Sequence, residues 1–494
     1  MYARCLATLF ALFVAAAASA APAGIALRLA DDGALQVDYT FPDRALVLPF
    51  ANPDPQVWEL VRKPHWRLVQ DCAELRPEGI VRRRAGVCEQ VTVRVQPGFL
   101  GLDRRFEPAL PIGPDALSLH TRYYAIDGPM IWTVEPPRGG IAGWMGQVHG
   151  AAQEVAVAEP SDARQAAIDD TDLVLSRRPP ARWTGAWAIA SGLTAPLEAE
   201  LRATSETLLA EYRHAFGEPV NGMPMLLFVG QPGSGETVLR PKGDVQDGTV
   251  RVTVAFSEGK LADKDRGVLR VFLAHELFHL WHGRRFNAAG EPWLGEGNAD
   301  WIGLNLMHRL GWMNDSVYLL LLEQAFNQCA LAIGEQPWRA APQRQGGILP
   351  YRCGLAFHAI AFEASRRAGN TAGPLEQWRA ILGGSDALRE EDFFGWYERP
   401  DFAGGRIAPL RRLLASETPF AEGLLAAMRS AGVSFEMAPT LSWLPSGARR
   451  NCAQGGGSRS GAFDVNCPGA FSMPGGFIHL GVVGTAKSRL EIRQ

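Results

Sequence analysis

The sequence predicts a multidomain α+β protein: an all-β, sandwich-like domain over 21–180, a domain of mixed sheet and helices over 181–400, and a small helical and β appendage over 401–494. Three observations lead there. Short apolar or alternating runs separated by turn residues fill the first third, an apolar helix carrying HExxH stands in the middle, and helical periodicity rich in Leu, Met and Phe follows it. At 494 residues, 47% hydrophobic and 20% charged, the chain can build two or three separate cores. A formal net charge of −3 argues against nucleic acid or an anionic membrane surface as the main partner.

Residues 1–20 read as an export signal: Arg4 precedes an apolar run from Leu6 to Ala18, and Ala18-Ser19-Ala20 supplies the small residues of a cleavage site. No Cys follows the run to accept a lipid, and no later stretch reaches the roughly eighteen apolar residues of a membrane helix. The expectation is a soluble exported protein, periplasmic or secreted. Six cysteines remain after the signal and fall into local pairs: Cys72 with Cys88, Cys329 with Cys353, and Cys452 with Cys467. Proximity prefers these pairings without fixing them, and an oxidising compartment favours bonds.

Within the first domain, 25–29, 34–41, 91–95 and 130–134 read as strands between Asp-Asp-Gly, Pro-Asp-Pro and Pro-Pro-Arg-Gly-Gly turns. Trp58, Trp66, Tyr123, Tyr124 and Trp132 are expected mostly in its core, with a partner or glycan surface as the competing role. Polar residues over 159–171 and Arg177 to Pro180 suggest a linker or long loop. Helices are then expected at 197–216, 301–310, 316–332, 351–367, 408–415 and 422–431, with strands at 225–229, 250–256 and 477–483.

The chemistry is concentrated in Val271–Trp301. His275-Glu276-Leu277-Phe278-His279 lies in an apolar stretch with no Gly or Pro from Val268 to His282, which predicts a buried helix. Residues four apart share a face, so both imidazoles reach one ion. Zinc suits two neutral imidazoles and a carboxylate, with the fourth position left to water. Glu276, beside the first histidine, is placed to act as general base. Trp293-Leu294-Gly295-Glu296 opens a second helix after a Gly/Pro-containing turn, and Glu296 is the candidate third ligand. Asp300 follows one turn later, where it can accept the outer N–H of a zinc histidine and orient its ring. His282 falls near the ligand face, but three histidines of one helix surround an ion poorly, so it reads as a site-lining or hydrogen-bonded residue. His308 and His358, in apolar helices, read as structural.

These motifs resemble the gluzincin peptidases, and within them the glycyl aminopeptidase family, whose zinc helix runs like HExFHxW followed by a basic pair. Here that is HELFHLW with Arg284 and Arg285, and the family's WxxEG segment matches Trp293, Glu296 and Gly297. Pro350-Tyr351-Arg352-Cys353-Gly354 is similar to the family's Y-x-K-G segment, with Cys353 in place of Lys. The resemblance spans roughly 195–370. It implies a thermolysin-like catalytic domain, one Zn2+ per chain, a peptide or protein substrate, and oxyanion stabilisation by Tyr351. Two departures stand out: sixteen residues separate His279 from Glu296, which leaves a tight interhelical loop, and no GxMEN-like segment precedes the zinc helix. Aminopeptidase and endopeptidase action both stay open, as does oligomeric state. The competing expectations are a non-catalytic binding protein on a retained peptidase fold and hydrolysis of a non-peptide bond.

Overall fold

The computed structural model describes residues 21–100, 102, 106–144, 147–157, 170–232, 239–256, 262–282, 291–334, 336–383, 388–415, 419–433, 436–439, 470–473 and 476–481. The expected export signal, most of the 159–171 segment, Arg284, Arg285, Cys452 and Cys467 lie outside these residues. The fold is mixed α+β and divides into two compact units.

One unit comprises Met1–Arg182 with Trp187–Gly192 and Met225–Val229. Its six-stranded sheet runs in the order Gln153–Val157, Met130–Glu135, Ala23–Leu29, Leu35–Thr40, Gln90–Val95, Trp66–Leu68. Ala23, Ile25, Leu27 and Leu29 alternate inward along one strand, the period-two pattern of a half-buried sheet. A second sheet orders Gln147–His149, Ile141–Trp144, Asp172–Ser176, Ala116–His120 and Ala109–Pro111. Leu117, Leu119, Leu173 and Leu175 of this sheet share one core with Leu27, Val37, Val93 and Trp132 of the first, as in a sandwich.

Trp66, Tyr123, Tyr124 and Trp132 are buried in that unit, and Trp58 is half-buried. A helical stretch over 55–65 interrupts the strands. It buries Arg62, whose guanidinium donates to the carbonyls of Asn52 (2.8 Å) and Tyr123 (2.9 Å) beneath the Phe50 ring. Such a buried charge is tolerated because carbonyl dipoles and an aromatic face replace its water. Cys72 and Cys88 are disulfide-bonded.

The other unit comprises Trp183–Ala186, Leu193–Pro224 and Gly230–Gln494. Strand Thr249–Phe256 pairs antiparallel with Arg240–Gln246 across Asp247-Gly248, whose φ values are 45° and 88°. Both are positive, as a type I′ hairpin turn requires, and Asp-Gly is among the sequences that adopt it most readily. Arg-Pro-Lys-Gly-Asp-Val-Gln was not expected as a strand, since Pro, Lys, Gly and Asp are poor strand formers.

Three helices matter most: the histidine helix (Asp263–His282), the glutamate helix (Pro292–Arg309) and the tyrosine helix (Leu349–Arg367). Helix Ala195–Phe216 holds the first of them twice. Glu200 pairs with Arg266 at 2.7 Å and Arg270 at 2.8 Å, and the Tyr212 hydroxyl donates to the Ala274 carbonyl at 2.7 Å.

The glutamate helix packs on the tyrosine helix through glycine. A Cβ on Gly297 would overlap Gly354 Cα, and one on Gly354 would overlap the Trp293 carbonyl oxygen. Only bare backbone permits this approach. Gly303 faces the histidine helix less tightly, a Cβ there standing 3.2 Å from the Ala274 carbonyl carbon. Helix Asp315–Ile333 is bonded to the tyrosine helix through Cys329–Cys353. No described helix is long and apolar enough to cross a membrane. The three short strands Glu436–Pro439, Gly476–Gly481 and Ala470–Met473 form a separate sheet in that order.

His358 lies buried among Trp293, Trp378 and Phe393, with Nε2–H donating to the Leu294 carbonyl at 3.3 Å. Burial pushes its pKa down to about 3. The unfolded chain therefore takes up a proton near pH 6.5 that the folded chain refuses until about pH 3, so stability falls as pH falls through that window. His358→Phe should remove one proton's worth of this slope, about 1.4 kcal/mol per pH unit, in denaturant titrations between pH 6 and pH 4. An unchanged slope would place the acid sensitivity elsewhere.

Candidate metal centre

The 3.6-residue period of the histidine helix puts His275 and His279 on one face, and their Nε2 atoms converge to 3.1 Å. From the glutamate helix, Glu296 brings Oε2 to 3.2 Å from His275 Nε2 and 3.5 Å from His279 Nε2. A tetrahedral zinc with bonds of about 2.0 Å has ligand atoms about 3.3 Å apart. Two imidazoles and a carboxylate at 3.1, 3.2 and 3.5 Å are therefore spaced as three corners around such an ion. Glu276 also has an oxygen within 4.8 Å of a ligand nitrogen of each histidine. Of the two carboxylates, Glu296 meets both Nε2 atoms at tetrahedral-edge distance, which leaves Glu276 beside the cluster.

Tyr351 enters from the tyrosine helix. Its ring lies 5.5 Å from the His275 ring. Burial pushes its pKa well up, reinforced by Glu296, Glu276 and Asp300, so the hydroxyl keeps its proton and donates. Glu276 is also pushed up by burial, with His275 and His279 opposing and Glu296 and Asp244 reinforcing. Glu296 behaves oppositely: burial alone would raise it, but His279 and His275 hold its carboxyl well below the usual range. His275 feels burial downward, yet hydrogen bonds donated to Asp300 and Glu296 raise it well above an ordinary histidine. A metal bound there would compete with the proton for its Nε2.

Each histidine has a different outer partner. His275 Nδ1 meets Asp300 at 2.8 Å, and Arg352 stands 3.8 Å behind that carboxylate. His279 Nδ1 meets His282 Nδ1 at 3.0 Å, and His282 Nε2 meets the Asn298 amide at 3.2 Å. His282 is pushed well below an ordinary histidine by burial and by the charge of His279. Thus His275, Glu276, His279, Glu296, Asp300 and Tyr351 come together, with His282 in the hydrogen-bonded role expected of it. His308 instead pairs with Asp315 at 2.9 Å. Sequence reasoning missed Asn298, Arg352 and Asp244. Asn298 had one visible signal, an amide midway between Glu296 and Asp300 at the start of the glutamate helix.

No protein-family model matches the chain, and no curated protein matches it. Among solved structures it is similar to an aminopeptidase N family protein from Idiomarina loihiensis, with a TM-score of 0.54 at 13% identity over 85% of this chain and 79% of that one. Native yeast LTA4 hydrolase aligns with a TM-score of 0.43 at 11% identity, over 81% and 68% respectively. At that identity the first match is a likeness of fold.

Proposed function

We propose that the protein is a zinc metallopeptidase, hydrolysing peptide bonds with Glu276 as general base. The observation that carries this reading is the convergence of His275, His279 and Glu296 at 3.1–3.5 Å, with a second buried carboxylate beside them. Fold likeness to an aminopeptidase N family protein supports it, as does the resemblance of HELFHLW, Trp293-x-x-Glu296-Gly297 and the Tyr351 segment to the glycyl aminopeptidases.

His275, His279 and Glu296 would hold one Zn2+, which when bound polarises a carbonyl and makes water easier to deprotonate. Glu276 takes the proton of the attacking water and returns it to the leaving nitrogen; its upward shift brings its affinity for that proton closer to the operating pH. Asp300 holds the His275 ring in its ligating orientation. The Tyr351 hydroxyl, kept protonated by burial, donates to the oxyanion that develops on the substrate carbonyl. The expected signal and the two disulfides support placement outside the cytoplasm.

The test is peptide hydrolysis by protein stripped with a chelator and then given one equivalent of Zn2+. Cleavage should vanish and return. Tyr351→Phe should lower kcat about 100-fold or more, a loss of roughly 3 kcal/mol in oxyanion stabilisation, with KM little changed. Wild-type turnover in that variant would remove Tyr351 from the reaction.

A further inference from the structure

The histidine helix carries a third imidazole, His282, that the reaction above does not use, and it is 2% exposed. The geometry points to a hydrogen-bond relay, His279–His282–Asn298, that fixes which nitrogen of His279 faces the metal; His282 and Asn298 are positioning residues for that ligand. This inference rests on the metal-site reading above and adds to it a second, uncharged support for the ion.

The argument is one of donors and acceptors. His279 Nε2 points into the cluster, 3.5 Å from Glu296, so its Nδ1 is the outer nitrogen. A histidine that ligates through Nε2 carries its proton on Nδ1 and must donate it. The atom facing it at 3.0 Å is His282 Nδ1, which accepts only when the His282 proton sits on Nε2. That N–H then needs an acceptor, and the Asn298 amide lies 3.2 Å away on the glutamate helix.

Asn298 is fully buried, and with its amide nitrogen turned to His282 its Oδ1 has no hydrogen-bond partner among the described residues. Turned by 180°, the amide presents Oδ1 to the His282 N–H, and the buried oxygen is satisfied. Nitrogen and oxygen of an amide are assigned from such networks. The opposite proton order fails: if His282 donated from Nδ1, His279 would carry its proton on Nε2, the nitrogen required by the metal. His275 differs in having an anionic partner, Asp300. The two ligands are therefore oriented by one charged and one neutral acceptor.

The experiment measures zinc affinity by competition with a chromogenic chelator, on the full chain, with thermal melts confirming that each variant is folded. His282→Leu should weaken zinc about 10- to 100-fold. His282→Gln, whose amide oxygen can accept from His279, should recover most of the loss. Asn298→Leu should weaken zinc about 10-fold by removing the amide that faces the His282 ring nitrogen. On the wild-type protein, histidine-selective ¹⁵N spectroscopy should show His282 neutral with its proton on Nε2. Wild-type affinity in a folded His282→Leu, or a His282 proton on Nδ1, would overturn the relay. A wild-type chain that binds no zinc would overturn the metal-site reading itself, an outcome distinct from loss of the relay alone.

Discussion

Glu276→Gln should lower kcat by at least about 1,000-fold while the purified protein keeps one zinc per chain. Glutamine preserves the shape and hydrogen-bonding reach of the side chain but cannot accept a proton at neutral pH. Glu276 is 8% exposed, so no solvent carboxylate or buffer base easily substitutes for it. Zinc retention is the sharper half of the expectation. Both Glu276 and Glu296 approach the histidines, and the proposed assignment of Glu296 as ligand rests on its distances of 3.2 and 3.5 Å to the two Nε2 atoms. If zinc were lost from Glu276→Gln and kept in Glu296→Gln, the two carboxylates would have exchanged roles. Metal analysis alongside steady-state kinetics on both variants decides this.

Gly297→Ala should destabilise the protein by about 3 kcal/mol or more and weaken zinc binding with it. The added methyl would overlap the backbone of the tyrosine helix at Gly354, and backbone cannot rotate away as a side chain can. The helices must separate, which moves Glu296, adjacent to Gly297, relative to Tyr351, three residues before Gly354. Gly303→Ala meets atoms at 3.2 and 3.3 Å and should cost less, because the neighbour has only a few tenths of an ångström to give. Gly395, exposed in helix Glu390–Tyr397 with nothing near a new Cβ, supplies the control: Gly395→Ala should stabilise by about 0.5–1 kcal/mol. Equal melting shifts for Gly297→Ala and Gly395→Ala would show that the interhelical contact is looser than this.

The parts of the site that follow from helical period were legible in the sequence. His275, Glu276 and His279 share a face by spacing alone, and Asp300 falls one turn beyond Glu296, so its 2.8 Å bond to His275 could be anticipated. Proximity likewise pointed to Cys72–Cys88 and Cys329–Cys353.

What stayed hidden depends on two elements meeting. The Gly297–Gly354 contact needs both helices in place before either glycine acquires meaning. His282 could be put near the ligand face, but its partner Asn298 sits on another helix, so the order of protons along the relay could not be read. Strand Arg240–Gln246 was obscured by its composition, although Asp247-Gly248 announces the turn beside it. The helical stretch at 55–65 escaped because its reason for existing, the carbonyls and ring that enclose Arg62, is tertiary.

The most direct test of the account is mass-spectrometric cleavage mapping of a mixed peptide library, using the purified protein as prepared, after chelation, and after zinc is returned. The account predicts new peptide ends in the first and third samples and none in the second, and those ends show whether residues leave singly from amino termini or internal bonds are cut. A folded, zinc-containing protein that produces no metal-dependent fragments from such a library would contradict it.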